Sequence, residues 1–215
     1  LSLSLIDAIK KAKYESPYPI QIEAIPAILK GKDILGIAPT GSGKTAAYVL
    51  PILQQLQQTE YIKTRNIPVL ILVPTRELAT QVEEVIKVFS NFLPRKIKTM
   101  AVFGGVSANP QMRNLFGTEV VVATPGRLLD LVDKNSISLS AVKVLVLDEA
   151  DKILNLGFKE EVDEILSYLF ETINQTKADY NTHTFKNYQE FTSQVGFTMR
   201  TIEDAISFNY YHEAL

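Results

Sequence analysis

The sequence contains no cysteine and no tryptophan, and only two of its 215 residues are histidine. Without cysteine, disulfides, thiolate metal sites and cysteine nucleophiles are excluded. His183 and His212 stand apart with no metal-ligand spacing around them, so we expect no histidine metal site. No apolar run is long enough for a membrane span and no signal peptide is visible, so we expect a cytoplasmic protein with no membrane contact.

Neither sign of charge is in excess, since the formal net charge is −2 and the isoelectric point is near 5.8. A broad basic surface is therefore not expected, and any contact with nucleic acid must be local. Hydrophobic residues make up 46% of the chain and charged residues 21%, which is typical of a globular protein. This length allows one well-buried domain and a remainder.

Short apolar runs alternate with segments of helical pattern. The runs are hydrophobic throughout, which is typical of strands buried on both faces of a sheet. This order predicts an α/β fold with a parallel sheet, right-handed crossovers and helices on both faces. The predicted strands are Asp33–Ala38, Val69–Val73, Lys98–Val102, Glu119–Ala123 and Val142–Leu147, and the predicted helices lie near 45–57, 76–92, 108–116 and 126–134.

Each predicted strand is followed by polar residues or glycines. Ligands of open parallel sheets collect at the carboxyl ends of the strands, so we expect these five groups along one edge of the sheet. They are Pro39-Thr40-Gly41, Pro74-Thr75-Arg76, Phe103-Gly104-Gly105, Thr124-Pro125-Gly126-Arg127 and Asp148-Glu149-Ala150-Asp151.

The segment Ala38–Thr45 reads Ala-Pro-Thr-Gly-Ser-Gly-Lys-Thr between a predicted strand and a predicted helix. Glycines allow backbone N–H groups to surround phosphates, Lys44 offers a positive charge to the β and γ oxygens, and the Thr45 hydroxyl is a ligand for Mg²⁺. The helix that follows presents its N-terminal dipole to the same anion. We therefore predict binding of a nucleoside triphosphate; the alternative is a glycine turn that only joins strand to helix.

Two acidic residues follow the last apolar run. Asp148 is expected to hold Mg²⁺, and Glu149 to orient and deprotonate a water molecule for attack on the γ-phosphate. The alternative is an acidic turn that is merely solvated.

These motifs, in this order and spacing, resemble the first RecA-like domain of a DEAD-box RNA helicase between Leu5 and about Leu169. The resemblance rests on Tyr18-Pro19-Ile20-Gln21, the Ala38–Thr45 loop, Pro74-Thr75-Arg76-Glu77-Leu78-Ala79, Gly104-Gly105, Thr124-Pro125-Gly126-Arg127 and Asp148-Glu149-Ala150-Asp151. It implies a RecA-like P-loop fold, ATP and Mg²⁺ as cofactors, RNA as partner, and a monomer that normally needs a second RecA-like domain.

The resemblance also implies site residues. Gln21 would read the N6 and N7 edge of adenine, although without the other motifs an exposed glutamine at a helix start is the better interpretation. Tyr14 packs either near the base or in the core. The ATP site would consist of Gln21, Thr40, Gly41, Ser42, Gly43, Lys44 and Thr45, with Lys44, Asp148 and Glu149 as catalytic residues and Thr45 and Asp148 on the metal.

On the RNA side, arginines at helix starts and exposed glycines would hold the phosphate backbone without reading bases. For any one of these residues alone, a turn or capping role is the simpler interpretation. They are Pro74, Thr75, Arg76, Gly104, Gly105, Thr124, Pro125, Gly126 and Arg127, and the resemblance assigns Asp151 to coupling between domains.

The resemblance ends near Leu169. The family has another buried strand ending in Ser-Ala-Thr, and we expect no counterpart of that strand in residues 170–215, where the tripeptide is absent. We therefore divide the chain into a RecA-like domain at 1–169, incomplete at both ends, and an unassigned tail at 170–215 that is helical or partly disordered. Residues 199–206 have apolar residues at near-helical spacing, which predicts an amphipathic helix that serves packing rather than a partner site.

Two functions remain open at this stage. The first is an ATP-dependent RNA helicase whose N-terminal domain binds ATP-Mg and RNA and carries the hydrolytic residues. The second is a non-catalytic ATP- and RNA-binding module without turnover in the absence of a second RecA-like domain.

Overall fold

The computed structural model describes residues 1–176 and 205–210. Among these residues there are eight helices and six strands. The helices are α1 (Leu3–Lys11), α2 (Pro19–Leu29), α3 (Lys44–Gln58), α4 (Arg76–Ser90), α5 (Ala108–Asn114), α6 (Pro125–Asp133), α7 (Ala150–Asn155) and α8 (Lys159–Thr176). The strands are β1 (Ile34–Ile37), β2 (Val69–Leu72), β3 (Thr99–Val102), β4 (Val120–Ala123), β5 (Val144–Leu147) and β6 (Ala205–Tyr210).

The strands form one sheet in the order β1-β6-β5-β2-β4-β3. Strands β5, β2, β4 and β3 pair in parallel. Strand β6 is antiparallel to both β1 and β5, so β1 runs in the same direction as β5. All five strands predicted from the sequence therefore point the same way, and the predicted α/β fold with a parallel sheet is confirmed.

Alternate residues of the central strands face two separate hydrophobic layers. Val69 and Ile71 of β2 pack with α1, α2, α3 and α4. Leu70 and Leu72 of the same strand pack with α6, α7 and α8. Every residue of β2, β4 and β5 is buried, as the continuous apolar runs predict. Burial on both faces holds these three strands rigidly, so their carboxyl ends are fixed points for a site.

Strand β1 differs from the prediction of burial on both faces. Leu35 is 43% exposed and Ile37 is 60% exposed, whereas Gly36 between them is buried. The reason is its place at the end of the sheet, where it pairs with β6 alone. An apolar run therefore identifies a strand here without identifying its position.

Strand β6 lies within residues 170–215, where the sequence predicts no counterpart of the family's further buried strand. Ala205 pairs with Ile37 of β1, and Ser207 pairs with Leu147 of β5, so the segment occupies the space between these strands. Its direction is opposite to that of its neighbours. The backbone N–H and C=O groups of β1 and β5 need partners at this position, and an extended segment of either direction satisfies them.

The predicted amphipathic helix at 199–206 is wrong for its last two residues, Ala205 and Ile206, which belong to β6. Its other residues lie outside the described part of the chain. A segment rich in β-branched and aromatic residues extends readily when two strand edges are available. In the part of the chain that the structure describes, no helix has both the length and the apolar character to cross a membrane.

Candidate nucleotide site and nucleic-acid interface

The loop between β1 and α3 has the geometry of a phosphate cradle. Gly41 and Gly43 have φ angles of +79° and +82°, a region that disfavours residues with a Cβ atom. At Gly43 a Cβ would also lie 2.7 Å from Cδ2 of Tyr18, which is too close for a real contact. Helix α3 begins directly after this residue, so its free N–H groups face the loop.

Ser42 and Lys44 leave polar groups available in this loop. The Ser42 hydroxyl is buried and has no hydrogen-bond partner among the described residues. An unpaired buried hydroxyl is costly, and a phosphate oxygen would satisfy it. The Lys44 ammonium donates to the carbonyl of Ala38 at the end of β1. A bound anion would compete well for this group, because it would give the ammonium a partner of opposite charge in place of a neutral carbonyl. The loop therefore fits a nucleoside triphosphate.

Gln21 is buried, being 4% exposed, and is not the exposed helix-start residue of the alternative interpretation. Its Nε2 donates to the Gly43 carbonyl at 3.0 Å, and its Oε1 accepts from the Tyr18 N–H at 3.1 Å. The amide thus ties the start of α2 to the phosphate loop. A primary amide has a second N–H and a second lone pair, so reading of adenine by Gln21 stays a prediction.

Asp148 lies at the end of β5 and is 3% exposed. The Tyr48 hydroxyl donates to its Oδ2 at 2.8 Å. Burial raises the pKa of Asp148 to about 6, although the Tyr48 hydrogen bond and Lys44 act in the opposite direction. Burial, followed by the nearby Asp148 charge, raises the pKa of Tyr48 well above its usual value, so this phenol is a donor at neutral pH.

Glu149 has a φ angle of +53°, a left-handed conformation that is strained for any residue other than glycine. It precedes α7 and forms an ion pair with Lys152 at 3.0 Å. Successive side chains from one rigid strand end therefore provide a buried carboxylate and a more accessible one. Non-glycine residues in this region cluster at functional sites.

The oxygen donors near the loop suit Mg²⁺. Thr45 is the second residue of α3, and Asp148 supplies a carboxylate. Within the described ranges no group of three or more histidine, cysteine or acidic side chains could hold a metal by itself. Mg²⁺ in nucleotide enzymes normally takes one or two protein oxygens together with phosphate oxygens and water. The residues present therefore fit an ion that arrives with its nucleotide.

The predicted ATP and catalytic residues, except Gln21 and Ser42, line one cavity of about 750 Å³. Tyr14 also contributes to this cavity, while its ring packs at 5.2 Å from that of Phe89, so it joins the site to the core. Predicted site residues that line the cavity are Thr40, Gly41, Gly43, Lys44, Thr45, Asp148 and Glu149.

At the end of β2, the predicted RNA residues are divided between structure and surface. Pro74 is buried. Thr75 caps α4, since its hydroxyl accepts from the Leu78 N–H at 3.2 Å. Arg76 is exposed, and its guanidinium donates to Glu77 at 2.6 Å. Of the three, Arg76 has the accessibility that contact with a phosphate backbone requires.

Arg127 is more enclosed than Arg76. Its guanidinium donates to Gln111 Oε1 at 3.1 Å and to the Val106 carbonyl at 2.8 Å. Gln111 also donates to the Phe103 carbonyl at 3.2 Å, so the two side chains hold the loop at 103–106 against α6. The sequence did not single out Gln111, because a buried glutamine far from any motif carries no local signal.

The remaining predicted RNA residues surround this loop. Thr124 precedes α6 and donates its N–H to the Val102 carbonyl at 3.0 Å, and buried Pro125 begins that helix. A Cβ added at Gly104, Gly105 or Gly126 would meet no atom within 4 Å, so these glycines face open space that a ligand can enter. Asp151 lies in the first turn of α7 beside this edge, and its role in coupling stays a prediction.

Replacing Asp148 by asparagine should stabilise the protein at pH 7. Because the folded-state pKa is about 6 against an ordinary 3.8, the folded protein binds this proton more tightly than the unfolded chain. Ionisation of the buried carboxyl therefore lowers the free energy of unfolding. This loss is absent below pH 4, grows as the pH rises to 6 and reaches about 3 kcal/mol above pH 6. Denaturant unfolding from pH 4 to 8 should show an advantage of Asp148→Asn that grows over this window.

The exposed Asp7, paired with Lys11 at 2.7 Å, provides the matched control, and Asp7→Asn should give a difference that varies little with pH. A constant difference between wild type and Asp148→Asn over the whole range would contradict the buried cost.

The chain is similar in sequence to a family of helicases and to individual RNA helicases. Residues 18–189 match the family model described as DEAD/DEAH box helicase. The chain is 44% identical over 172 residues to the ATP-dependent RNA helicase DeaD of Escherichia coli K12, covering 80% of this chain and 27% of that protein. It is 42% identical over 167 residues to the DEAD-box ATP-dependent RNA helicase 20 of Arabidopsis thaliana, covering 77% and 33%.

Among solved structures, a DEAD box protein from Methanococcus jannaschii superposes with a TM-score of 0.68 and 35% identity, over 78% of this chain and 45% of that one. A hypothetical ATP-dependent RNA helicase from Sulfolobus tokodaii gives a TM-score of 0.69 and 30% identity, over 84% and 56%. The chain covers 27% of the Escherichia coli helicase and 33% of the Arabidopsis thaliana helicase, about a third or less of the length of each protein.

Proposed function

Because the chain belongs to the DEAD/DEAH box helicase family, we propose that it binds ATP-Mg and the RNA backbone and carries the residues that hydrolyse ATP. The observation that carries the proposal is the meeting of Lys44, Thr45, Asp148 and Glu149 in one cavity of about 750 Å³. That volume suits a nucleotide-sized ligand. The orphaned Ser42 hydroxyl in the adjoining loop supports a phosphate as its missing partner.

In this proposal the chain positions charge around a phosphoryl group. The loop amides and Lys44 hold the β and γ phosphates, while Thr45 and Asp148 hold Mg²⁺, which neutralises charge on the phosphate oxygens. Glu149 orients a water molecule and accepts its proton. The rigid end of β5 favours one acid for the metal and the other for the water, since it presents the buried carboxylate of Asp148 beside the more accessible carboxylate of Glu149.

The direct test is equilibrium binding of ATP and GTP to the 215-residue chain, with and without Mg²⁺. We expect ATP to bind more tightly than GTP, because the Gln21 amide that contacts Gly43 keeps a second N–H and a second lone pair for the adenine edge. We expect Mg²⁺ to tighten the binding of ATP, because Thr45 and Asp148 would hold the ion. Equal affinity for GTP would remove the adenine preference, and no binding of either nucleotide would overturn the proposal.

The RNA part of the proposal rests on the exposed Arg76 and the open glycines around α6. Replacing Arg76 by alanine should weaken binding of single-stranded RNA. The slope of log affinity against log salt concentration should become shallower by about the amount that corresponds to one phosphate contact. Arg65 is the matched control, since its guanidinium donates to the Asn135 carbonyl and it lies before β2, at the opposite edge of the sheet. Equal losses in the two variants would argue against a local RNA site.

A second candidate is a binding module without turnover of its own. The chain assayed by itself spans 27% of one helicase and 33% of another, so residues that those relatives supply from the rest of their length are not in the assay. A second domain is a usual source of the arginine that stabilises transferring phosphate, an effect of about 10³- to 10⁵-fold in related chemistry. Measuring ATP turnover with and without a supplied C-terminal domain of a relative separates the two candidates.

A further inference from the structure

Tyr48 is a fully buried phenol at the junction of two functional elements. It lies on α3, three residues after Thr45, and its exposed fraction is 0%. Its hydroxyl donates to Asp148 Oδ2 at 2.8 Å. Thr45 stands one turn earlier on the same helix. The phenol therefore contacts one of the two residues that the proposed function assigns to Mg²⁺, and it lies on the helix that carries the other.

This contact joins parts of the chain that are 100 residues apart. Thr45 and Tyr48 share a face of α3, because residues three apart on a helix are neighbours. Asp148 stands at the end of β5, two places from β1 in the sheet. The phenol thus spans from the helix after the phosphate loop to the acidic strand end, and it restrains rotation of the Asp148 carboxylate.

Orientation of a carboxylate matters for this ion. Mg²⁺ requires nearly ideal octahedral geometry at about 2.0–2.1 Å, so a rotated ligand is a poor ligand. Partners that orient metal ligands commonly change metal affinity or activity by about 10- to 100-fold when removed. A phenylalanine at position 48 would fill almost the same volume in the core but could not hold the carboxylate.

We infer that Tyr48 is a positioning residue that fixes the Asp148 carboxylate for the divalent cation of the bound nucleotide. The inference rests on the proposed function and adds a residue to it. The competing explanation is that Tyr48 is a core tyrosine and that Asp148 merely satisfies its hydroxyl. The two explanations differ in what removal of the hydroxyl does to metal-dependent binding.

The test measures affinity for a non-hydrolysable ATP analogue in Mg²⁺ and in EDTA. For Tyr48→Phe we expect unchanged affinity in EDTA and a loss of about tenfold in the enhancement by Mg²⁺. Electron paramagnetic resonance of Mn²⁺ in the presence of the same analogue should show a matching loss of metal affinity. Thermal unfolding followed by circular dichroism establishes that the variant is folded.

Tyr61 offers a matched control. Its hydroxyl donates to the Gly117 carbonyl at 2.9 Å, at the edge of the sheet opposite to the cavity. Tyr61→Phe removes a tyrosine hydrogen bond of similar length away from the proposed metal ligands, and it should leave both affinities unchanged. If Tyr48 acts through Asp148, Tyr48→Phe should cause no further loss of Mg²⁺ enhancement in an Asp148→Asn background.

The outcomes separate the inference from the function beneath it. A wild-type chain that binds no nucleotide overturns the proposed function and this inference with it. A wild-type chain that shows Mg²⁺ enhancement, with the same enhancement in Tyr48→Phe, overturns the inference alone. Equal losses in Mg²⁺ and in EDTA, or additive losses with Asp148→Asn, would leave Tyr48 a packing residue.

Discussion

Replacing Lys44 by alanine is expected to reduce affinity for ATP-Mg by about 30- to 4,000-fold. Removing one partner of an enclosed, hydrogen-bonded charge pair typically costs about 2–5 kcal/mol, and each 1.4 kcal/mol is a factor of ten in affinity. The variant should stay folded, because Lys44 makes its hydrogen bond to a carbonyl of the same loop rather than to the core. Calorimetric titration of both proteins with ATP-Mg measures the difference.

Two comparisons make this result specific. Lys134 lies beyond the end of α6 and pairs with Asp130, so Lys134→Ala should bind ATP-Mg as the wild type does. Lys44→Arg keeps the charge, but its planar, forked group cannot take the place of a compact ammonium in a tight loop, so we expect little recovery. Wild-type affinity in Lys44→Ala would show that the cavity does not hold phosphates through this residue.

The positions of the strands could be predicted because their signal is local. Predicted and observed bounds of β2 and β4 differ by one residue, at Val73 and Glu119, since four consecutive apolar residues are enough to bury a strand on both faces. The motifs at the strand ends were then placed by topology. One direction for all five predicted strands puts their carboxyl ends together, so the sequence order alone was sufficient to expect a single edge.

Long-range pairing could not be predicted in the same way. No local sequence pattern predicts the contact of Tyr48 with Asp148 or of Arg127 with Gln111, because these contacts depend on how helices pack on the sheet. The same limit explains β6. Whether a short apolar segment becomes a helix or a strand depends on available partners, and the partners of Ala205 and Ser207 lie far back in the chain.

Burial also changed the interpretation of individual side chains. Gln21 was expected to face a base, yet in this structure its amide bonds to the phosphate loop and to the start of α2. Arg127 was expected to face RNA, yet three groups of the protein surround it, including Asp130 at 3.6 Å. A motif therefore identifies which residues meet at the edge, whereas hydrogen bonding decides which of them stay available to a ligand.

Replacing Glu149 by glutamine is expected to lower ATP turnover by about 10²- to 10⁴-fold, the usual contribution of a general base, with ATP-Mg affinity nearly unchanged. Glutamine keeps the shape of the side chain and the same backbone cost at a φ of +53°, but it cannot accept the proton of the attacking water. The lost ion pair with Lys152 is partly exposed and adds little to stability, so the fold should be unaffected. Single-turnover hydrolysis with RNA, and with a supplied C-terminal domain where the wild type alone is slow, measures the effect.

Glu160 in the first turn of α8 gives the control, since Glu160→Gln removes an exposed carboxylate that does not line the cavity and should turn over ATP normally. Unchanged turnover in Glu149→Gln would assign the base elsewhere, and a parallel loss of ATP binding would make Glu149 a binding residue.

The roles proposed for the two acids at the end of β5 require different effects from their replacement. Asp148→Asn should lose Mg²⁺ dependence while gaining stability, because its buried charge is costly without a cation. Glu149→Gln should lose chemistry alone, because its carboxylate is the accessible one.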